Sequence, residues 1–266
     1  MPSDMSAPAS VLSQASAWIE YSTPNPAAGC RLFCFPYAGG SASIYRQWNG
    51  SPFDAVEICP IQIPGRENRT SEKPFTKLLP LAKALADVFP LDRPFAFFGH
   101  SAGALLCFEI ARELRRRGER LPFHLFASGC SAPQLCPNRP PRFNLKRDEL
   151  ITEMRKLGGT PEEVLNNDEL LDFVLPALRA DFALLDTYIY RDEKAFDFTI
   201  TALSGQADLE VDHWEVVQWS TQTDQQFRHR QFPGGHFFLH EEGEDVKALV
   251  AREIDRTLRT QKFTHN

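Results

Sequence analysis

The chain has 266 residues, of which 42% are hydrophobic and 24% charged, and a net charge of −6 at pH 7. That is enough apolar material for one sizeable core, and the length suits one large domain with room for an inserted subdomain. The acidic balance argues against nucleic acid or an anionic membrane as a partner, and no apolar run approaches membrane-spanning length.

Residues 1–16 are rich in Ser, Ala and Pro and carry neither a basic start nor an apolar centre. They read as a flexible N-terminal tail rather than a signal peptide. Six cysteines are present without a C-x-x-C pair. Cys34, Cys59, Cys107 and Cys130 lie in or beside apolar segments, as small buried hydrophobes of a reducing, cytoplasmic compartment do.

Residues 31–36 form the first strand-like run, ending at Pro36, and residues 37–41 follow as a small-residue loop. A short helix over 44–48 leads to a second strand over 56–63, interrupted at Pro60. A turn over 64–67 precedes an amphipathic helix over 75–89. Residues 95–98 are a short apolar strand, and residues 104–114 place Leu105, Phe108, Ile110, Ala111 and Leu114 near helical spacing. Residues 123–128 make another strand. Strands alternating with helices define an α/β protein with a mostly parallel sheet flanked by helices, whose site lies at the carboxyl ends of the strands.

The rhythm then breaks. Residues 131–142 carry Pro133, Pro137, Pro140 and Pro141 and read as a stiff connector. Residues 144–188 show no strand. Helices are expected over 147–157 and 168–187, with Thr160 capping a further start and Pro161 as its first residue. Leu170, Leu171, Phe173, Val174, Leu175, Leu178, Phe182, Leu184 and Leu185 give the longer helix a wide apolar arc that must cover something. A helical lid over the site fits; a peripheral bundle with its own core is the alternative. The division expected is a core of residues 17–132 and 191–262, with residues 133–190 as the insertion. A strand over 198–203 runs into the turn Ser204-Gly205-Gln206-Ala207-Asp208. A helix over 212–221 turns Trp214 and Trp219 inward. A last strand covers 227–232, a turn ends at His236, and a closing helix occupies most of 237–258.

Between the 95–98 strand and the helix after it sits Gly99-His-Ser101-Ala-Gly103, a G-x-S-x-G pattern. A serine on so sharp a strand-to-helix turn has a strained backbone, and the two glycines give the helix room to pack close. The hydroxyl then stands clear at a helix N-terminus, where developing negative charge is favoured. A plain Ser cap in a glycine turn is the other reading; the strand before and the helix after favour a nucleophile. Such a serine needs a base, and the base needs a carboxylate. Ser101, Asp208 and His236 follow the chain order of that architecture. Two glycines let the backbone at His236 approach the site, which favours it over its rival His240. Asp208 directly follows a strand and a glycine turn, unlike Asp197, Glu210, Asp212 and Asp224. The oxyanion would be held by the backbone N–H of Ala102 and, from the 37–41 loop, that of Ala38, unless that loop is only a tight turn.

Six segments together resemble the type II thioesterases, α/β-hydrolases that accompany polyketide synthases and nonribosomal peptide synthetases. They are Phe33-Cys-Phe-Pro-Tyr-Ala-Gly-Gly-Ser41, Pro64-Gly-Arg-Glu67, Gly99-His-Ser-Ala-Gly-Ala104, Leu157-Gly-Gly-Thr160, Leu178-Arg-Ala-Asp-Phe182 and Gly234-Gly-His-Phe-Phe-Leu239. The resemblance covers about residues 30–255 and includes the insertion. It implies an α/β-hydrolase fold with an inserted helical lid. It also implies hydrolysis of acyl thioesters on the phosphopantetheine arm of acyl or peptidyl carrier proteins, clearing misprimed or stalled groups. Ser101 is then nucleophile, His236 base and Asp208 orienting acid, although Gln206-Ala207 departs from the more acidic stretch usual there. No cofactor or metal is implied, since phosphopantetheine belongs to the substrate, and a monomer is expected. A general carboxylesterase or acyltransferase with the same triad is the nearest alternative, and a non-catalytic carrier-protein binding module another. Arg66 and Glu67 match the resemblance without a derivable role. Arg112, Arg115, Arg116 and Arg117 could meet an acidic carrier protein, or simply complement the end of their helix.

Overall fold

Among the described residues six short segments, most of them apolar, become strands: β1 (Cys30–Phe35), β2 (Val56–Pro60), β3 (Phe95–His100), β4 (His124–Ser128), β5 (Thr199–Gly205) and β6 (Phe227–Phe232). In the computed structural model, which describes residues 17–136 and 139–263, they form one sheet in the order β2-β1-β3-β4-β5-β6. Every neighbouring pair is parallel, as the α/β pattern requires. The chain runs from β1 outward to β2 and then returns to β3 on β1's other side. The loops leaving β1 and β3 therefore part, and a crevice opens between them at the carboxyl edge.

Both faces of a parallel sheet must be covered, and alternation assigns each side chain to one of them. Phe33, Phe35, Phe95 and Phe97 face α1 (Leu78–Ala86) and α2 (Ala102–Arg117). Leu32, Cys34, Ala96, Phe98 and Phe126 face Tyr45, Trp48 and α8 (Gly243–Phe263), which contributes Val246, Val250 and Ile254. Between β4 and β5 stand α3 (Arg147–Leu157), α4 (Glu162–Leu165) and α5 (Asp168–Asp186). They share a small core of Leu150, Met154, Leu165, Leu171, Leu175, Leu178 and Phe182, against which Ala38 of the main body packs. After β5 come α6 (His213–Val217), a 3-10 turn over Gln218–Gln222 and, after β6, α7 (Phe238–Glu241).

Several expectations are adjusted. The 56–63 strand stops at Pro60; beyond it the Ile61 N–H still donates to the Cys34 carbonyl at 2.8 Å, and Ile61 forms an isolated antiparallel bridge with Ile19. Pro161 is the residue before α4 rather than its first residue, and Thr160 does not cap it. The 212–221 helix is a short α-helix followed by a 3-10 turn, and only Trp219 turns inward; Trp214 is 54% exposed. The indole N–H of Trp219 donates to the Cys130 carbonyl at 2.9 Å, which satisfies its polar end in the interior. The closing helix is broken into α7 and α8 at Glu242. The six cysteines are free, and all but the half-buried Cys136 are buried. Among the described residues no helix is long and apolar enough to cross a membrane. The tail over 1–16, Pro137 and His265 lie outside the described residues.

Candidate active site

Ser101 sits between the end of β3 and the start of α2 with φ 52° and ψ −117°, a conformation that L-residues rarely adopt. The two glycines hold it there. A Cβ on Gly99 would lie 2.3 Å from the Gly103 carbonyl oxygen, and a Cβ on Gly103 would lie 2.3 Å from that of Phe35. Both obstacles are backbone, so neither site accepts a side chain without moving the helix off the sheet. The Ser101 N–H donates to the Ser128 carbonyl at 2.7 Å, tying the turn to the next strand.

Asp208 follows β5, and His236 follows β6 through Pro233-Gly-Gly. Gly205 permits the approach, because a Cβ there would come within 2.2 Å of the Gly235 carbonyl oxygen. His236 Nδ1 lies 2.9 Å from Asp208 Oδ2, and both side chains are buried. The other oxygen, Asp208 Oδ1, accepts the N–H groups of Glu210 and Val211 at 2.8 and 3.2 Å, which fixes the carboxylate plane. With a carboxylate on Nδ1, the tautomer bearing hydrogen there is favoured and Nε2 is left as the acceptor.

Several of the competing histidines and acids are engaged elsewhere. His240 Nε2 lies 2.8 Å from the Tyr37 hydroxyl, and burial lowers its affinity for protons. His100 is fully buried; its Nδ1 meets Ser128 Oγ at 2.9 Å, and burial, reinforced by the neighbouring His236, pushes its pKa well below the ordinary value. His124 lies between Thr201 and Thr257 on the sheet. Glu210 is taken by Arg139 and Arg142, each at 2.6 Å. The Asp212 N–H donates to Glu215 at the start of α6.

Ser101 and His236 line one cavity of about 460 Å³. Its floor is the carboxyl edge of the sheet, and its far wall is apolar, with Leu157, Val164, Val174, Leu178 and Phe182 from α3 to α5. Ala38 and Ala102 line it too. Ala102 is the first residue of α2, so its N–H has no partner within the helix. In the glycine loop the Gly39 N–H donates to Asp181 Oδ2 at 2.7 Å and that of Gly40 to the Tyr37 carbonyl at 2.9 Å. Among the described residues the Ala38 N–H has no acceptor. The structure thus brings Ser101, His236, Asp208, Ala38 and Ala102 to one edge of the sheet. Among the described residues no group of three or more His, Cys, Asp or Glu is arranged to hold a metal ion.

Sequence reasoning left two matters open on which the geometry bears. Arg66 does not pair with Glu67; its guanidinium grips Asp181 of α5 at 2.7 and 2.8 Å. Glu67 instead accepts from Ser41 Oγ at 2.6 Å. The arginines at the end of α2 are largely engaged within the protein, Arg115 and Arg116 with Glu193, Arg117 with Asp87 and Glu113, and Arg112 with Glu109.

A parallel sheet with a strained Ser turn, a His–Asp pair on the late loops and helices inserted over the cavity is the architecture of an α/β-hydrolase. The thioesterase domain family matches residues 30–257. The gramicidin S biosynthesis protein GrsT of Aneurinibacillus migulanus is 40% identical over 245 residues, 91% of this chain and 96% of that protein. Among solved structures, RedJ, the thioesterase of the prodiginine pathway of Streptomyces coelicolor, superposes with a TM-score of 0.83 at 37% identity, covering 95% of this chain and 97% of that one. The type II thioesterase BorB from the borrelidin biosynthetic cluster gives 0.80 at 36% identity over 88% of this chain and 96% of its own. The chain belongs to the thioesterase family, and it is a thioester hydrolase. The resemblance to type II thioesterases read from its motifs is borne out by these relatives.

Proposed function

We propose that the protein clears acyl groups held as thioesters on the phosphopantetheine arm of acyl or peptidyl carrier proteins in a polyketide or nonribosomal peptide assembly line. The reading is supported by relatives from such pathways and carried by one observation: His236, oriented by Asp208 at 2.9 Å, shares the cavity with Ser101 on its strained turn. Ser101 Oγ attacks the thioester carbonyl while His236 Nε2 accepts its proton. Asp208 keeps the imidazole in the required tautomer and stabilises its cation. The Ala38 and Ala102 N–H groups hold the oxyanion. On collapse the C–S bond breaks and His236 returns the proton to the departing thiol. Water, deprotonated by His236, then attacks the acyl-enzyme, and the free acid leaves with Ser101 restored.

These steps draw on protein side chains and water, with no cofactor taking part. Residues 133–190 act as a lid whose apolar inner wall receives the acyl chain and keeps bulk water from the intermediate. A substrate panel tests the reading. Carrier-bound thioesters should be turned over in preference to simple oxygen esters of the same acyl group. Fast oxygen-ester cleavage without that preference would make the protein a general carboxylesterase. Failure of a fluorophosphonate to label Ser101 would make it a non-catalytic carrier-protein binder.

A further inference from the structure

The Arg66 and Leu178-Arg-Ala-Asp181 motifs, which take no part in the steps above, meet on the glycine loop. Arg66 follows β2, and Asp181 lies on α5, 115 residues along the chain. Arg66 Nη1 and Nη2 donate to Asp181 Oδ2 and Oδ1 at 2.7 and 2.8 Å, with side-chain exposures of only 7% and 3%. Each partner also holds one peptide group of the loop. The Gly39 N–H donates to Asp181 Oδ2 at 2.7 Å, and Arg66 Nη1 donates to the Gly40 carbonyl at 2.9 Å. Leu178, three residues before Asp181 and so on the same helix face, packs against Gly39; a Cβ there would sit 3.0 Å from Leu178 Cδ1.

A buried ion pair contributes little net stability, because desolvation offsets its attraction, and an apolar pair of similar volume often serves as well. An apolar pair cannot hold two peptide groups. Residues 37–40 form a turn closed by the Gly40 N–H on the Tyr37 carbonyl at 2.9 Å, and Gly39 has φ +80°, the value a type II turn requires at its third position. The central peptide of that turn is kept from flipping by the bond from Gly39 to Asp181. The Tyr37–Ala38 peptide is planar and trans, so its N–H points opposite to its carbonyl. With the carbonyl turned inward to Gly40, the Ala38 N–H is turned outward.

We propose that Arg66 and Asp181 are positioning residues for thioester hydrolysis: they lock the 37–40 turn so that the Ala38 N–H is aimed at the oxyanion. Because Asp181 belongs to the inserted helices, the oxyanion site is complete only while α5 is seated. The proposal rests on the reading of Ser101 as nucleophile and Ala38 as an oxyanion donor.

The test uses the full chain, hexanoyl-N-acetylcysteamine thioester as substrate and hexylboronic acid as a tetrahedral analogue. The variant R66M/D181L removes both charges, so no buried charge is orphaned. Per phosphonate-titrated site, kcat should fall about 10- to 100-fold, with KM changing far less and boronate affinity weakening in proportion. The reversed pair R66D/D181R restores opposite charges but leaves the Gly39 N–H without an acceptor and the Gly40 carbonyl without a donor, so it should not recover kcat. Recovery by the reversed pair, or kcat within about twofold of wild type in folded R66M/D181L, overturns the proposal. If R66M/D181L does not fold, R66A/D181A, which likewise removes both charges and both loop contacts without adding bulk, carries the same comparison. Ser101→Ala separates the two levels: activity surviving in it overturns the nucleophile reading, whereas its loss beside an unaffected pair variant overturns only the positioning role.

Discussion

The floor and the roof of the cavity are held by different forces. At the floor, backbone meets backbone: Ser101 is kept at positive φ because Gly99 and Gly103 let α2 touch β1 and β3, with no space for even a methyl group. At the roof, α3 to α5 meet through apolar side chains, and ion pairs on their outside, such as Arg155–Glu162, are exposed. Exposed pairs of that kind contribute little, because water and salt screen them. Geometry at the floor is therefore set by sterics that allow almost no alternative, whereas the roof is set by packing that tolerates repacking. The Arg66–Asp181 pair is a buried polar link between the two.

The sharpest way to probe the floor leaves its shape intact. Asp208→Asn keeps the side-chain volume but favours the wrong imidazole tautomer, and kcat should fall on the order of 10⁴-fold with an unchanged melting curve. Gly103→Ala attacks the shape itself. Its Cβ would meet the Phe35 carbonyl, so urea denaturation should show a loss of about 4 kcal/mol or more, the exceptional end for a single substitution. At the roof, Phe182→Ala removes a side chain only 3% exposed, and the expected loss is about 3 kcal/mol, concentrated in early proteolysis of residues 139–188 rather than in global unfolding. If Gly103→Ala were tolerated and Phe182→Ala were not, the contrast between floor and roof would be reversed.

The sheet beneath the floor adds a pH dependence. Burial between Thr201 and Thr257 lowers the His124 pKa from an ordinary 6.5 to about 3. The unfolded chain therefore binds a proton that the folded chain refuses. The resulting stability is fully present above pH 6.5 and is lost as pH falls toward 3, by about 1.4 kcal/mol per unit. His229, lowered to about 4 by burial, acts in the same direction. Urea midpoints measured from pH 7.5 to 4.5 should fall steeply in wild type and less steeply in His124→Gln. The smallest effect belongs to the far end of α2. Arg115, Arg116 and Arg117 already have acidic partners in the chain, so replacing all three with Ala should change KM for an acyl-carrier protein by less than about twofold. A large rise would move the docking surface to that edge.

Local signals carried much of this into the sequence. Apolar runs gave five strands plainly, and β6 less so, because Arg228, His229, Arg230 and Gln231 leave it half exposed. The convergence of Ser101, Asp208 and His236 on one edge of the sheet was legible because each sits on a glycine turn that follows a strand, in a fixed chain order. Trp214 was misplaced because its helix is too short to bury two faces. The partners of Arg66, Arg115 and Arg117 were not legible at all. Asp181, Glu193 and Asp87 lie 115, 78 and 30 residues away, and only the folded sheet brings them together.

The most direct measurement is intact-mass kinetics on acetyl- and propionyl-carrier proteins, with wild type and Ser101→Ala side by side. Wild type should strip the acyl group and leave free phosphopantetheine, while Ser101→Ala should leave the acyl-carrier mass unchanged. Acyl groups that persist with wild type, or that disappear equally fast with Ser101→Ala, would contradict the account.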